Sequence, residues 1–196
     1  RMVPFAGYDM PVQYPSGILA EHSWTRTSAG LFDVSHMGQA FLIGPDHATT
    51  AAALEALCPA DIAALAPGRQ RYTQLLNEDG GILDDLMVTR PAEADEEGVL
   101  FLVVNAACKE QDFTHISARL PASVRLLRAD HRALVALQGP QAAEVLALHC
   151  PDTRDMPFMS GRTTTFDGLA CHVSRSGYTG EDGYEISIHS RHATRL

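Results

Sequence analysis

Residues 39–57 read QAFLIGPDHATTAAALEAL, and the fold class turns on how that run is read. Gln39 to Ile43 is short and apolar, which suits a strand. Gly44-Pro45 interrupts it. The alanine-rich stretch that follows favours a helix to about Leu57, with Pro45 at an early position where its missing N–H costs little. Downstream, Tyr72 to Leu76 predicts a strand, Asn77-Glu-Asp-Gly-Gly81 a tight turn, and Ile82 to Thr89 a second strand. Pro91 to Gly98 is a polar, acidic loop. Val99 to Val104 is continuously apolar, so a strand buried on both faces is expected. Ala106 to Leu120 carries Phe113, Ile116 and Leu120 at helical spacing, and Val124 to Leu127 reads as a further strand. The order β-α-β-β-β-α-β predicts a split-βαβ, ferredoxin-like unit with one added hairpin strand.

Outside this unit, residues 16–29 read as a helix with Ser16 as N-cap and Gly30 as its C-terminal stop. Leu31 to Val34, Ala133 to Leu137, Leu169 to Ser174 and Tyr184 to His189 read as strands, and Gly139-Pro140 opens a short helix. Strands on both sides of the ferredoxin-like run have to pair with each other. The expectation is therefore an α+β protein in which residues 1–45 plus 129–196 form one discontinuous domain and residues 46–128 an inserted one.

Hydrophobic residues make up 45% of the 196 and charged residues 20%, ordinary for a globular chain with a real core. A net charge of −9 argues against bulk attraction to nucleic acid or anionic lipid. No apolar stretch approaches the ~20 residues of a membrane span. Cys58, Cys108, Cys150 and Cys171 form no CxxC pair, and the nine histidines show no HExxH or cluster, so neither a zinc nor a thiol-redox motif is present. Four buried or semi-buried thiols in a reducing compartment are expected.

Two segments carry unusual polar residues. In Ile82-Leu-Asp-Asp-Leu-Met-Val88 two carboxylates interrupt an apolar strand. Adjacent strand residues face opposite sides, so Asp84 shares a face with Ile82 and Leu86, and Asp85 with Leu83 and Met87. At least one carboxylate is then partly desolvated, a condition that often accompanies function. The same pattern fits an edge strand with one Asp solvated and the other capping the turn. In Tyr184-Glu-Ile-Ser-Ile188, Glu185 lies with Ser187 on the face opposite Tyr184, Ile186 and Ile188. That face is either solvent or the wall of a pocket, where a carboxylate can accept two parallel N–H bonds from a planar heterocycle. Phe5, Tyr8, Gln13, Tyr14, Phe32 and Met37 suit a flat ring ligand, but for Phe5 and Phe32 core packing is the favoured expectation.

Six motifs, FAGYDMPVQY (5–14), GLFDVSHMG (30–38), LNEDGGILDDL (76–86), LVVNA (102–106), ALQGPQA (136–142) and GYTGEDGYEI (177–186), occur in one order along the chain. Together they resemble the T-protein, or aminomethyltransferase, of the glycine cleavage system. The folate-binding portions of dimethylglycine and sarcosine oxidising enzymes are similar, but the first two motifs look more like the T-protein. The resemblance implies three domains around a folate channel, the last a C-terminal barrel-like domain lying beyond this chain. It implies transfer of the methylene carbon of an aminomethyl group from the lipoyl arm of the H-protein to tetrahydrofolate, with release of ammonia. Tetrahydrofolate is then the acceptor substrate and the lipoylated H-protein the protein partner; no metal, flavin, nucleic acid or membrane is implied. Asp84 matches the family's acidic catalytic residue and Glu185 its pterin anchor, while Tyr72, Asn105 and Tyr178 match residues or segments lining the folate pocket. A cytoplasmic location is expected for a bacterial protein and the mitochondrial matrix for a eukaryotic one, the former favoured. Arg1 is not a start methionine and Arg191 to Leu196 reads as a helix that begins and then stops, so a chain incomplete at both ends is expected, and the family the chain resembles has members about twice this length. The reading from a different class is a non-catalytic folate-binding or regulatory module, against which the retained Asp84 argues.

Overall fold

The computed structural model describes all residues from Arg1 to Leu196. Its strands and α-helices follow in the order β1 (Met2–Phe5), β2 (Tyr8–Pro11), α1 (Ile18–Thr27), β3 (Gly30–Asp33), β4 (Gly38–Ile43), α2 (His47–Glu55), β5 (Gln70–Leu76), β6 (Ile82–Thr89), β7 (Val99–Val104), α3 (Lys109–Ser117), β8 (Arg125–Arg128), β9 (Arg132–Gln138), α4 (Ala142–Ala147), β10 (Ser160–Phe166), β11 (Leu169–Arg175) and β12 (Gly183–His189). The chain divides into two compact units. One is Arg1–His36 together with Arg132–Leu196; the other is Met37–His131.

The unit 37–131 is built on an antiparallel sheet of order β5-β6-β7-β4-β8. Alternate residues of its central strands (Ala40 and Leu42, Leu86 and Val88, Leu100, Leu102 and Val104) pack with Leu54, Phe113 and Ile116 of the two helices. Phe101 and Val103 of β7 are buried as well, which is why β7 reads as an unbroken apolar run. Truncating a side chain as enclosed as Leu102 to Ala removes about 2–5 kcal/mol. Helix α2 is capped by Asp46, whose side chain accepts from the Thr49 N–H at 2.7 Å. Pro45 therefore lies outside the helix, not in its first turn.

The boundary expected at residue 45/46 is displaced. β4 is paired along six residues with β7 and along four with β8, so it is an interior strand of the second sheet and does not belong with residues 1–36.

In the other unit the sheet order is β10-β11-β12-β9-β3, again antiparallel throughout. Tyr184, Ile186 and Ile188 of β12 fall on one face, buried with Val173, Leu137, Leu146 and Phe166. Helix α1 starts at Ile18 without a side-chain cap. Ser16 bonds Glu21 instead, whose carboxylate also accepts from the Tyr14 N–H at 2.7 Å. Gly30 opens β3 and does not terminate α1. A side chain there would collide with Thr25 and the Phe32 ring, so its role is close approach. Two hairpins lay outside the sequence reading, β1–β2 and β10–β11. The second closes on Asp167-Gly168, both with positive φ, an Asp-Gly turn signal in the sequence. All four cysteines are free, three of them buried. No helix is long and apolar enough to cross a membrane.

Candidate functional site

Two polar groups stand out, one in each unit. The first sits at the end of the β5–β6 hairpin. Its turn is closed by Asn77, whose side-chain oxygen accepts from the N–H groups of Asp79 (3.0 Å) and Gly81 (2.7 Å). Strand β6 pairs regularly with β5 as far as Asp84, opposite Leu75; then Ile82 faces Leu76 and the register shifts. On the other edge of β6, pairing with β7 stops at Leu86 opposite Val104. Asp84 and Asp85 thus lie beside the end of β7, where Asn105 leaves the strand.

Asn105 gathers both carboxylates. Its amide nitrogen donates to Asp84 Oδ1 at 2.9 Å and to Asp85 Oδ1 at 2.6 Å. Its backbone N–H donates to Asp84 Oδ2 at 3.2 Å. The Tyr72 hydroxyl donates to Asp85 Oδ2 at 2.7 Å, and this bond is the main reason the phenol is held above its usual range. Burial first, and then the charges of Asp84, Asp112 and Asp85, push the nearby Cys108 thiol upward. The two carboxylates sit in regular register with β5, Asp84 opposite Leu75 and Asp85 opposite Gln74, so alternation places them on opposite faces as expected, and the single Asn105 amide at the end of β7 reaches both. Tyr72 also reaches Asp85, not Asp84.

The second group is on β12 and the glycine-rich loop before it. Glu185 lies opposite Ala136 of β9 and Ser174 of β11, in the middle of regular pairing. The face it occupies is not open solvent. Ala136, Ser174 and Ser187 are buried, and Arg132 donates to the Ser187 hydroxyl at 2.7 Å. Burial pushes the Glu185 carboxyl up to about 7, against a hydrogen bond from Tyr178 that pulls it down. The Tyr178 phenol is raised by burial and then by the Glu185 charge. With 57% of Tyr178 open to solvent, the Coulombic part of that pair is screened.

The loop from Gly177 to Gly183 is pinned by residues that sequence reasoning missed. Gln138, fully buried on β9, accepts from the Tyr178 N–H at 3.0 Å, and a side chain at Gly183 would collide with its amide. Arg26 of α1 donates to the Thr179 carbonyl at 2.6 Å and pairs with Glu181 at 2.9 Å. Arg175 forks onto Asp182 at 2.6 and 3.0 Å. The ALQGPQA motif contained Gln138, but nothing in its pattern marked the amide as the loop's anchor.

The structure therefore brings Asp84, Asn105 and, through Asp85, Tyr72 into one group, and Glu185 and Tyr178 into another. Met37 is half-buried just before β4 and stands outside both hydrogen-bonded groups. Phe5 and Phe32 are not core residues; they are 52% and 41% exposed. Phe32 lines an open cavity of about 1030 Å³ with Tyr8, Tyr14, Trp24, Leu31 and His36. Phe5 meets the His36 ring edge-on at 5.8 Å. No group of three or more His, Cys, Asp or Glu side chains is placed to hold a metal ion.

The chain is 40% identical to the mitochondrial aminomethyltransferase of Dictyostelium discoideum, an alignment covering 100% of this chain and 49% of that protein. It is 44% identical to the aminomethyltransferase of Prochlorococcus marinus strain MIT 9303, covering 96% of this chain and 52% of the relative. The crystal structure of glycine cleavage system aminomethyltransferase T from Bartonella henselae superposes with a TM-score of 0.84 at 40% identity, over 100% of this chain and 52% of that one. Heterotetrameric sarcosine oxidase from Corynebacterium sp. U-96 shares the fold alone, with a TM-score of 0.59 at 17% identity, over 90% of this chain and 85% of that one. The chain thus spans about half the length of the curated relatives it matches. The family model described as the GCVT N-terminal domain matches residues 1–196, and the chain belongs to that family.

Proposed function

We propose that this chain is the N-terminal part of a tetrahydrofolate-dependent aminomethyltransferase of the glycine cleavage system. The observation that carries the reading is the Asp84 carboxylate, held at both oxygens by Asn105 beside the end of β7. A carboxylate fixed in this way is oriented before a substrate arrives, which suits a group that must meet a reacting amine in one geometry. Identities of 40% and 44% to proteins named aminomethyltransferase, against 17% to sarcosine oxidase, favour this reading over a folate domain of an oxidising enzyme.

In this reading the lipoylated H-protein delivers an aminomethyl group. Its methylene carbon passes to tetrahydrofolate, ammonia leaves, and the lipoyl arm is released in its dihydro form. Asp84 orients the folate amine and takes its proton, and Asn105 fixes the carboxylate. Glu185, a partly buried carboxylate, accepts two parallel N–H bonds from the 2-amino-4-oxopteridine edge. Tyr178, Tyr72 and Met37 contribute to folate binding, Tyr178 by orienting Glu185 and Tyr72 by holding Asp85. We also infer that residues 37–131 form a ferredoxin-like domain inserted into a discontinuous one. The strand order β8-β4-β7-β6, with β5 added at the edge, supports this.

The test is formation of methylenetetrahydrofolate from aminomethylated H-protein by the full-length protein, wild type against Asp84→Asn. A protein that binds tetrahydrofolate but transfers nothing in either form is a binding module, and the enzymatic reading fails.

A further inference from the structure

Helix α3 carries a carboxylic acid on its apolar face. Asp112 is fully buried next to Phe113, and Ile116 lies one turn on. Both side-chain oxygens are enclosed, and no N–H or O–H of the fold is placed to donate to either. As a carboxylate, Asp112 would be a buried charge without a donor, which is among the most costly states a side chain can take. Its polar contact is the carboxyl of Asp84, and an ionised carboxylate only accepts. Two charged carboxylates side by side repel. A single proton between them turns the repulsion into a charge-assisted O–H···O bond.

We propose that Asp112 is a positioning residue for Asp84: a buried carboxylic acid whose O–H donates to the Asp84 carboxylate and fixes its orientation. This deepens the reading of Asp84 as the group that handles the acceptor amine, and rests on it. The proton resides on Asp112 because the surroundings differ. Asp84 is partly exposed and receives two N–H bonds from Asn105. Asp112 receives none. Burial, then Asp84, then the charge of Asp85 push the Asp112 carboxyl up to about 8. On its own element, Cys108 faces the same charges. From β8, Arg128 stacks over Phe113, but its guanidinium is engaged by Glu110 and Asp130. With the Asp112 O–H and the two Asn105 bonds in place, three of the roughly four acceptor sites of Asp84 are filled. One remains for an incoming amine.

The pH dependence has a definite sign. The folded carboxyl is raised above its ordinary 3.8 to about 8. Its contribution to stability is therefore complete below the ordinary range and lost as pH rises through about 8. Above that pH the proton leaves, and Asp112 repels the group it had oriented.

The experiment has two arms, both on the full-length protein. In the first, aspartate carboxyl carbons are labelled with ¹³C and titrated by NMR from about pH 5 to about pH 10, spanning the ordinary and the raised range. One carboxyl titrating near pH 8, and absent from Asp112→Asn, is expected. If every aspartate has finished titrating below about pH 6, the inference is overturned; the wild-type titration alone decides this even if the variant does not fold. In the second, transfer rates are compared across pH. Asp112→Asn keeps an N–H donor toward Asp84 and should transfer near the wild-type rate at pH ~7, without the decline near pH 8. Asp112→Leu keeps the bulk but no donor. It should lower kcat on the order of tenfold with folate Kd unchanged, the scale of a misplaced reacting group. Wild-type kcat in Asp112→Leu would refute the positioning role. If the raised carboxyl is found but Asp84→Asn transfers normally, the carboxyl pair stands and the assignment of Asp84 fails.

Discussion

The Asp84 and Glu185 groups place a carboxylate on a strand in opposite ways. Glu185 sits mid-strand, with regular partners on both sides in Ala136 and Ser174. Its direction is dictated by alternation, and its surroundings remove water without supplying charge. Asp84 sits past the end of pairing on one edge and at the last regular pair before a register shift on the other. Its direction is dictated by one amide, that of Asn105. A carboxylate of the first kind is tuned by desolvation, and one of the second is held in place by hydrogen bonds. The first suits binding of a neutral N–H edge, and the second suits holding charge in readiness for a proton.

The largest effect should come from breaking the second kind. Asp84→Asn preserves shape but removes the charge, and transfer by the full-length protein should fall roughly 10²–10⁴-fold while folate binding persists. Asp85→Asn should lose less and show part of its effect in thermal unfolding, since Asp85 holds Tyr72 and shares Asn105. The reverse order of the two variants, measured as methylenetetrahydrofolate formed per minute, would assign the chemistry to Asp85.

Next in size is Glu185→Ala, which should weaken tetrahydrofolate binding by on the order of 2–4 kcal/mol. Calorimetric affinity equal to wild type would remove Glu185 from the pterin site. The same carboxyl gives a pH signature. It is raised from 4.5 to about 7 in the free protein, and N–H donors from a ligand favour its charged form. Binding should therefore release a proton below pH ~7, and affinity should fall as pH drops through that value. Titrations in buffers of different ionisation enthalpy report this release, and Glu185→Gln should abolish it.

A smaller effect concerns stability. Because the folded pKa of Glu185 is raised, its favourable contribution is complete below pH ~4.5 and lost as pH rises through about 7. Glu185→Gln should therefore raise the unfolding midpoint at pH ~8 by about 2–4 °C, the shift that ~1 kcal/mol produces in a chain of this size. A lower midpoint would mean that the carboxylate has a stabilising partner. The smallest expected effect is that of Tyr72→Phe. It removes one bond on an exposed side chain, and stability should stay within about 0.5 kcal/mol in denaturant unfolding.

The same contrast explains what could be read from the chain alone. The face shared by Tyr184, Ile186 and Ile188 was legible, as was the unbroken apolar β7, because regular pairing makes sequence period and side-chain direction the same information. The opposite faces of the double aspartate were legible for the same reason, but alternation carries no sign that one amide at the end of β7 reaches both carboxylates. Strand β10 was missed because only its ends are buried, leaving Thr163 to Thr165 without an apolar rhythm. Pro45, Ser16 and Gly30 were placed by general preference, whereas the actual termini are set by Asp46, by Glu21 reaching back to Tyr14, and by the closeness of Gly30 to Thr25. Asp112 was passed over because Phe113, Ile116 and Leu120 already explained the helix. A polar residue on that stripe was the available signal. The motifs carried the family because they hold the turns and pocket residues together in order, which no single periodicity does.

The buried amide of Gln138 makes the glycine-rich loop a casting and not a spring. Its mould is a side chain on β9, nearly forty residues earlier in the chain, with Arg26 pressing from α1. Transplanting GYTGEDG into another scaffold would carry the letters without the shape. Conversely, several loop positions could drift in sequence while Gln138 and the small residue at 183 kept the form. Anyone redesigning the loop's ligand preference would therefore do best to leave the strand behind it untouched and vary only what faces outward.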